Sequence, residues 1–212
     1  MFCPSPLYVI CDAEACRRAG WTLIDFASAC LNGGARLLQV RAKAEPSSRL
    51  LDETLAIVER AGREAQVIVN DRADIARLAE AAGVHVGQDD LAPAEVRSVL
   101  GDRAVVGCST HTTTQFDAAL SQPVSYVAIG PVFATTTKST GYHALGLAPV
   151  ADAAVRAARR GMPLVAIGGI TLDRAEAVLA QGAASVAVIG DLIVTGDPEA
   201  RVRAYLRRLS RV

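Results

Sequence analysis

Residues 39–43 read Gln-Val-Arg-Ala-Lys, so Gln39, Arg41 and Lys43 recur at every second position. In an extended strand side chains alternate between faces, which sets these three on one face and Leu38, Val40 and Ala42 on the other. An amide and two cations gathered together need an anion, because an unpaired buried charge is costly. Either a bound anionic ligand or a structural ion pair to a neighbouring strand meets that need. Asn70-Asp71-Arg72 and Gly87-Gln88-Asp89-Asp90 each follow a short apolar run. Carboxylates of Asp71 and Asp90 brought together at adjacent strand ends would repel unless a hard cation such as Mg²⁺ or a basic side chain joined them. Capping a helix is the other role open to Asp90, since Pro93 stands just beyond. Thr135-Thr136-Thr137-Lys138 puts three hydroxyls before an ammonium, a donor set suited to phosphate oxygens or to a polar surface loop. Glycines in Gly168-Gly169-Ile170-Thr171 and Val188-Ile189-Gly190 let backbone N–H groups approach an anion at a helix start.

These residues all fall at the ends of eight apolar runs, which are the candidate strands. They are Leu7–Cys11, Arg36–Arg41, Gln66–Asn70, Val84–Gly87, Ala104–Cys108, Tyr126–Gly130, Pro163–Ile167 and Ser185–Ile189. Their starts lie about 18 to 37 residues apart, room for one helix per gap. Continuous apolar runs of this length suit strands buried on both faces, as in a parallel sheet. Between them, Leu23, Phe26, Ala27, Cys30 and Leu31 follow helical spacing, as do Ala175, Val178 and Leu179 between a Thr171 cap and a Gly182 stop. A last helix is predicted to begin at Asp197-Pro198, with Val202, Tyr205, Leu206 and Leu209 inward. Its Arg201, Arg203, Arg207, Arg208 and Arg211 read as a solvated face. No GxGxxG turn follows the first strand, where an open dinucleotide-binding sheet would carry it. The expected fold is therefore α/β, a single (β/α)₈ TIM barrel over residues 1–212, with no linker dividing the chain.

In such a barrel the strand C-termini build the site. Both candidate phosphate-binding stretches, the glycine turns after strands seven and eight and the threonine loop after strand six, then share one rim with the cations and the aspartates. That combination points to two phosphorylated groups bound at once. No Ser-His-Asp set and no lysine in an apolar setting is apparent, so charge stabilisation on a leaving phosphate group is favoured over covalent catalysis. Ser109-Thr110-His111 ends strand five. His85 and His111 read as packing residues, with acid–base work the alternative for His111. His143 sits in the polar stretch 139–146, a candidate lid.

Composition narrows the classes. Lys plus Arg equals Asp plus Glu at 22 each, and aromatic residues are 4%, which argues against a nucleic-acid partner. No stretch reaches about 18 consecutive apolar residues, so no membrane span is expected. The first six residues lack the basic region of a signal peptide. Five cysteines without paired CxxC motifs read as reduced thiols of a cytoplasmic enzyme.

The chain resembles the thiamine phosphate synthase family through Gln39–Lys43, Val69–Arg72, Gly83–Asp90, Gly107–His111, Gly130–Lys138 and Ala166–Ile170, taken in this order. The resemblance implies that hydroxymethylpyrimidine diphosphate and a thiazole phosphate, plain or carboxylated, are joined to thiamine phosphate with release of diphosphate. It implies that Asp71 and Asp90 hold Mg²⁺, and that Gln39, Arg41, Lys43, Asn70, Ser109 and Lys138 contact the pyrimidine diphosphate. Of these, Arg41, Lys43, Ser109 and Lys138 would serve catalysis. Thr135, Thr136, Thr137, Gly168, Gly169, Ile189 and Gly190 would hold the thiazole phosphate. Gly190 departs from the family, which usually has Ser there, so one hydroxyl donor is missing. A thiazole tautomerase, on a similar barrel, and a non-catalytic phosphate-ligand sensor are the alternatives. Neither requires the aspartate pair. The oligomeric state stays open between a single chain and a homodimer.

Overall fold

The computed structural model describes Phe2 and residues 4–135 and 141–210. Thr136, Thr137 and Lys138, Cys3, Arg211 and the start of the candidate lid lie outside the described residues. Eight parallel strands close into a barrel in sequence order, β1 pairing with β8. They are β1 (Leu7–Asp12), β2 (Leu37–Arg41), β3 (Gln66–Asn70), β4 (Gly83–Val86), β5 (Val105–Thr110), β6 (Tyr126–Ile129), β7 (Leu164–Ile167) and β8 (Ser185–Val188). The helices are α1 (Ala13–Arg18), α2 (Leu23–Asn32), α3 (Ser47–Ala61), α4 (Ala73–Leu78), α5 (Pro93–Leu100), α6 (Thr113–Ala119), α7 (Ala148–Ala158), α8 (Leu172–Leu179) and α9 (Pro198–Leu209). No helix among the described residues is long and apolar enough to cross a membrane.

Two apolar layers follow from strand alternation. Tyr8, Ile10, Leu37, Ile68, Val105, Tyr126, Val165 and Ala187 point into the barrel and pack on one another. Their neighbours Leu7, Val9, Leu38, Val40, Val69, Val84, Val106 and Val186 point outward and pack with Phe26, Ile57, Phe116, Val178 and Val202 of the helices. A strand buried on both faces has no polar side to mark, which explains the unbroken apolar runs. Gln39 is buried on the inner side of β2 while Leu38 and Val40 join the outer layer, the alternation expected for residues 38–42.

Three elements differ from expectation. The β1–β2 connection holds two helices rather than one. Asp12 caps α1 by accepting from the Ala15 N–H at 2.8 Å. Gly20, at φ +77°, then turns the chain, and Thr22 caps α2. Strand β5 runs on to Thr110, because Ser109 and Thr110 pair with Ala128 and Ile129 and the Thr110 hydroxyl donates to the Ala128 carbonyl. Ser109 is thus held in the sheet, not in a loop. Finally, Arg201 is not on a solvated face: it pairs with Asp191 at 2.8 Å. Arg203 and Arg207 remain exposed, and Arg208 pairs with Asp173 and Glu176.

Candidate active site

Because every strand runs the same way, the ends of β2 to β8 meet at one rim, and there two compartments lie side by side. The smaller, about 250 Å³, is lined by Lys43, Asn70, Asp71, Asp90 and Tyr142 among others. The larger, about 480 Å³, is lined by Thr135, Gly168, Gly169, Ile189 and Gly190 among others. Ser109 and His111 line both.

In the smaller compartment Lys43 Nζ sits 2.8 Å from Asp71 Oδ2. Asp71 adopts φ +64°, a left-handed conformation that Asp tolerates better than most residues. The Asp71 N–H donates to the His85 carbonyl at 2.8 Å, tying the turn to β4. Asp90 is not a helix cap: Ala92 takes that position at α5, and Asp90 Oδ2 accepts from the Gly87 N–H at 2.7 Å within its own loop. Burial, and behind it the adjacent Asp71 carboxylate, push the Asp90 carboxyl up, against the Gly87 N–H and Lys43, which pull it down. The aspartates therefore lie close enough to interact directly. Asn70 Nδ2 is buried without a hydrogen-bond acceptor among the described residues. Two hard carboxylates on adjacent strand ends fit a magnesium ion, which takes one or two carboxylates and leaves its other positions to water and phosphate. Among the described residues no group of three or more His, Cys, Asp or Glu is gathered for a metal.

Arg41 and Gln39 are held differently from Lys43. Arg41 ion-pairs with Asp12, its register partner on β1, which is the neighbouring-strand pairing weighed above. Gln39 Nε2 donates to the Tyr8 hydroxyl at 3.0 Å inside the barrel.

The larger compartment is built from backbone. Gly168 (φ +104°) and Gly169 (φ +62°) turn the chain between β7 and α8. A β-carbon at Gly168 would come within 2.5 Å of Pro131. The β6 loop therefore lies against this turn, with Val132 N–H donating to the Ile167 carbonyl at 2.9 Å and Phe133 N–H to the Gly168 carbonyl at 3.0 Å. Thr171 is the N-cap residue of α8 as expected, but its side chain makes no capping bond. Instead Asp191 accepts from the Leu172 N–H at 3.0 Å. Asp191 also takes Arg201 at 2.9 and 2.8 Å and the Tyr205 hydroxyl at 2.5 Å, which fixes the turn after β8 onto α8 and α9. Asp191 and Arg201 were not singled out from the sequence as supports of this site. The i, i+4 spacing of Arg201 and Tyr205 was the available signal.

Arg174 is the other addition. It lines the larger compartment, donates through Nη1 to the Gly169 carbonyl at 3.1 Å, and lies 4.8 Å from the Phe133 ring centroid. His85 is packed inside the barrel as expected, bonded to Tyr126 and Ser109. His111 Nδ1 donates to the Gly130 carbonyl at 2.6 Å, and its ring stacks on Tyr142 at 4.4 Å. The exposed His143 belongs to the part of the candidate lid that is described. The described cysteines, Cys11, Cys16, Cys30 and Cys108, are buried free thiols, and burial pushes the Cys16 thiol up to about 12.

Residues 7–192 match the family model for thiamine monophosphate synthase. The thiamine-phosphate synthase of Koribacter versatilis is 41% identical over 207 residues, 96% of this chain and 95% of the relative. That of Anaeromyxobacter dehalogenans is 45% identical over 176 residues, 82% of this chain and 77% of the relative. A solved thiamine phosphate pyrophosphorylase from Pyrococcus furiosus superimposes with TM-score 0.86 at 25% identity, covering 97% of this chain and 95% of that one. A phosphoribosyl anthranilate isomerase from Thermus thermophilus, at 14% identity and TM-score 0.64, shares the barrel fold alone. Matched along most of its length by both model and relatives, the chain belongs to the thiamine monophosphate synthase family.

Proposed function

We propose that the two compartments receive the two substrates of a thiamine phosphate synthase, a transferase reaction. The smaller takes the diphosphate of hydroxymethylpyrimidine diphosphate and the larger takes the thiazole phosphate. The observation that carries this reading is the wall common to both compartments, Ser109 and His111, at which the reacting ends of two anionic substrates can meet. The bond from the pyrimidine methylene carbon to the diphosphate oxygen breaks, and the diphosphate departs with the electron pair. The thiazole nitrogen donates its lone pair to that carbon. This nitrogen carries no proton, so no base is needed, and placement by the second phosphate site supplies the advantage.

Lys43, Asn70, Ser109 and Lys138 bind the diphosphate. Arg41, tied to Asp12, is a further cation at this rim, and Gln39 acts on the pyrimidine side from within the barrel. The buried Asn70 amide, lacking an acceptor among the described residues, gains one from a phosphate oxygen. Asp71 and Asp90 would hold Mg²⁺, which when bound neutralises charge on the diphosphate. In the larger compartment the Gly168–Gly169 turn, Ile189 and Gly190 offer backbone N–H groups and Thr135 a hydroxyl donor, and on this reading Thr136 and Thr137 are assigned to the same phosphate. Lys43 turns from Asp71 to the incoming phosphate oxygens, which brings charge stabilisation to where charge grows.

Incubation of the purified protein with both substrates and Mg²⁺ tests the reading. Diphosphate release that depends on both substrates is the expected result. Isomerised thiazole without release would assign a tautomerase, and binding of either phosphate without turnover would assign a sensor.

A further inference from the structure

A continuous hydrogen-bond chain crosses the barrel interior and ends at the wall between the compartments. Gln39 Nε2 donates to the Tyr8 hydroxyl at 3.0 Å, and the Tyr8 and Tyr126 hydroxyls are 2.9 Å apart. Tyr126 Oη lies 2.8 Å from His85 Nδ1, and His85 Nε2 lies 2.7 Å from Ser109 Oγ. These residues come from β2, β1, β6, β4 and β5. Gly107 makes the central link possible: a β-carbon there would strike the Tyr126 ring and come within 2.6 Å of His85 Nδ1.

We propose that this chain runs in one direction and holds Ser109 as a hydrogen-bond donor to the diphosphate substrate, making Tyr126 and His85 positioning residues. The proposal rests on the reading that the smaller compartment takes a diphosphate. An amide nitrogen only donates, so the Tyr8 oxygen accepts from Gln39 and passes its single proton to Tyr126. Tyr126 in turn passes its proton to His85 Nδ1, which must be the unprotonated ring nitrogen. The His85 proton then sits on Nε2 and is donated to Ser109 Oγ. With that lone pair occupied, the Ser109 O–H is directed outward into the site. Burial pushes both tyrosine hydroxyls up, so each keeps the proton the count requires. A doubly protonated His85 would set two donors on the Tyr126 oxygen and leave the Tyr126 proton without an acceptor along the chain. An ionised diphosphate oxygen only accepts, so a serine fixed as donor recognises it, whereas one fixed as acceptor would repel it.

Long-range ¹H–¹⁵N spectra of the full chain labelled in histidine, assigned by replacing the other histidines one at a time, read the His85 tautomer directly. The expected result is a neutral ring with its proton on Nε2. Tyr126→Phe removes the donor to Nδ1 and abolishes that preference. It lowers kcat for diphosphate release about tenfold with both KM values within about twofold, and Ser109→Ala adds little in that background, because residues of one network are not additive. A wild-type proton on Nδ1, or on both nitrogens, would overturn the proposal. So would Tyr126→Phe and Ser109→Ala losses that multiply independently. The wild-type tautomer needs no variant to fold. It also decides the direction of the chain even if diphosphate release fails, an outcome that would count against the functional reading alone.

Discussion

Gly168→Ala tests the larger compartment at its tightest point. The new β-carbon would stand 2.5 Å from Pro131 Cα and Cβ and 3.2 Å from the Val132 nitrogen, where ordinary contact begins at 3.4 Å. Pro131 therefore has to retreat by about 0.9 Å and the Val132 nitrogen by about 0.2 Å, and these are backbone or ring atoms that no side-chain rotation can move aside. An alanine at φ +104° adds backbone strain of about 1–3 kcal/mol, and the overpacking adds about 1–3 kcal/mol more. At about 2–4 °C per kcal/mol for a chain of this size, melting should fall by roughly 5–20 °C. The retreat also breaks the pairing of Val132 with Ile167 and of Phe133 with Gly168, and carries Ala134 and Thr135 away from the compartment they line. A misplacement of about 1 Å can cost about 100-fold in rate. Steady-state kinetics with each substrate varied in turn, run below the melting temperature, should place that loss in kcat/KM for the thiazole phosphate. KM for the pyrimidine diphosphate should barely change, because Lys43, Asp71 and Asp90 are held by β2, β3 and β4. An alanine variant with normal thiazole-phosphate kinetics, or one equally impaired toward both substrates, would refute the assignment of this turn.

Asp71→Asn keeps a residue that tolerates the left-handed turn while removing one charge, so folding measured by circular dichroism should persist and diphosphate release should fall by about 100-fold. Near-normal turnover with Mg²⁺ would end the metal assignment. Gly190→Ser restores a hydroxyl donor worth about 0.5–1.5 kcal/mol, so KM for the thiazole phosphate should drop by roughly 2- to 10-fold. An unchanged KM would show that this hydroxyl does not reach the phosphate. Arg174→Ala should raise the same KM by about 3- to 10-fold with kcat preserved, as for an exposed charge that binds without entering the chemistry. Fading of that difference in high salt would support the charge-based account, and its absence at low salt would remove Arg174 from the site.

The barrel was legible because its cause is local and repeated: each strand is an apolar run of the right length, and helical spacing fills the gaps. The end of β5 and the second helix after β1 were not, because they depend on pairing across the sheet and on caps formed only once the chain turns. Residue types and spacing alone marked Asp71, Asp90, Lys43 and the paired glycines as polar or small residues at strand ends, since alternation and strand direction are properties of short stretches. Only the folded barrel determined that Asp71 meets Lys43 and Asp90, that Arg41 is taken by Asp12, and that Gln39 is joined through two tyrosines and His85 to Ser109. Those partners lie on, or just beyond the ends of, different strands, and closing the sheet is what brings them within reach of one another.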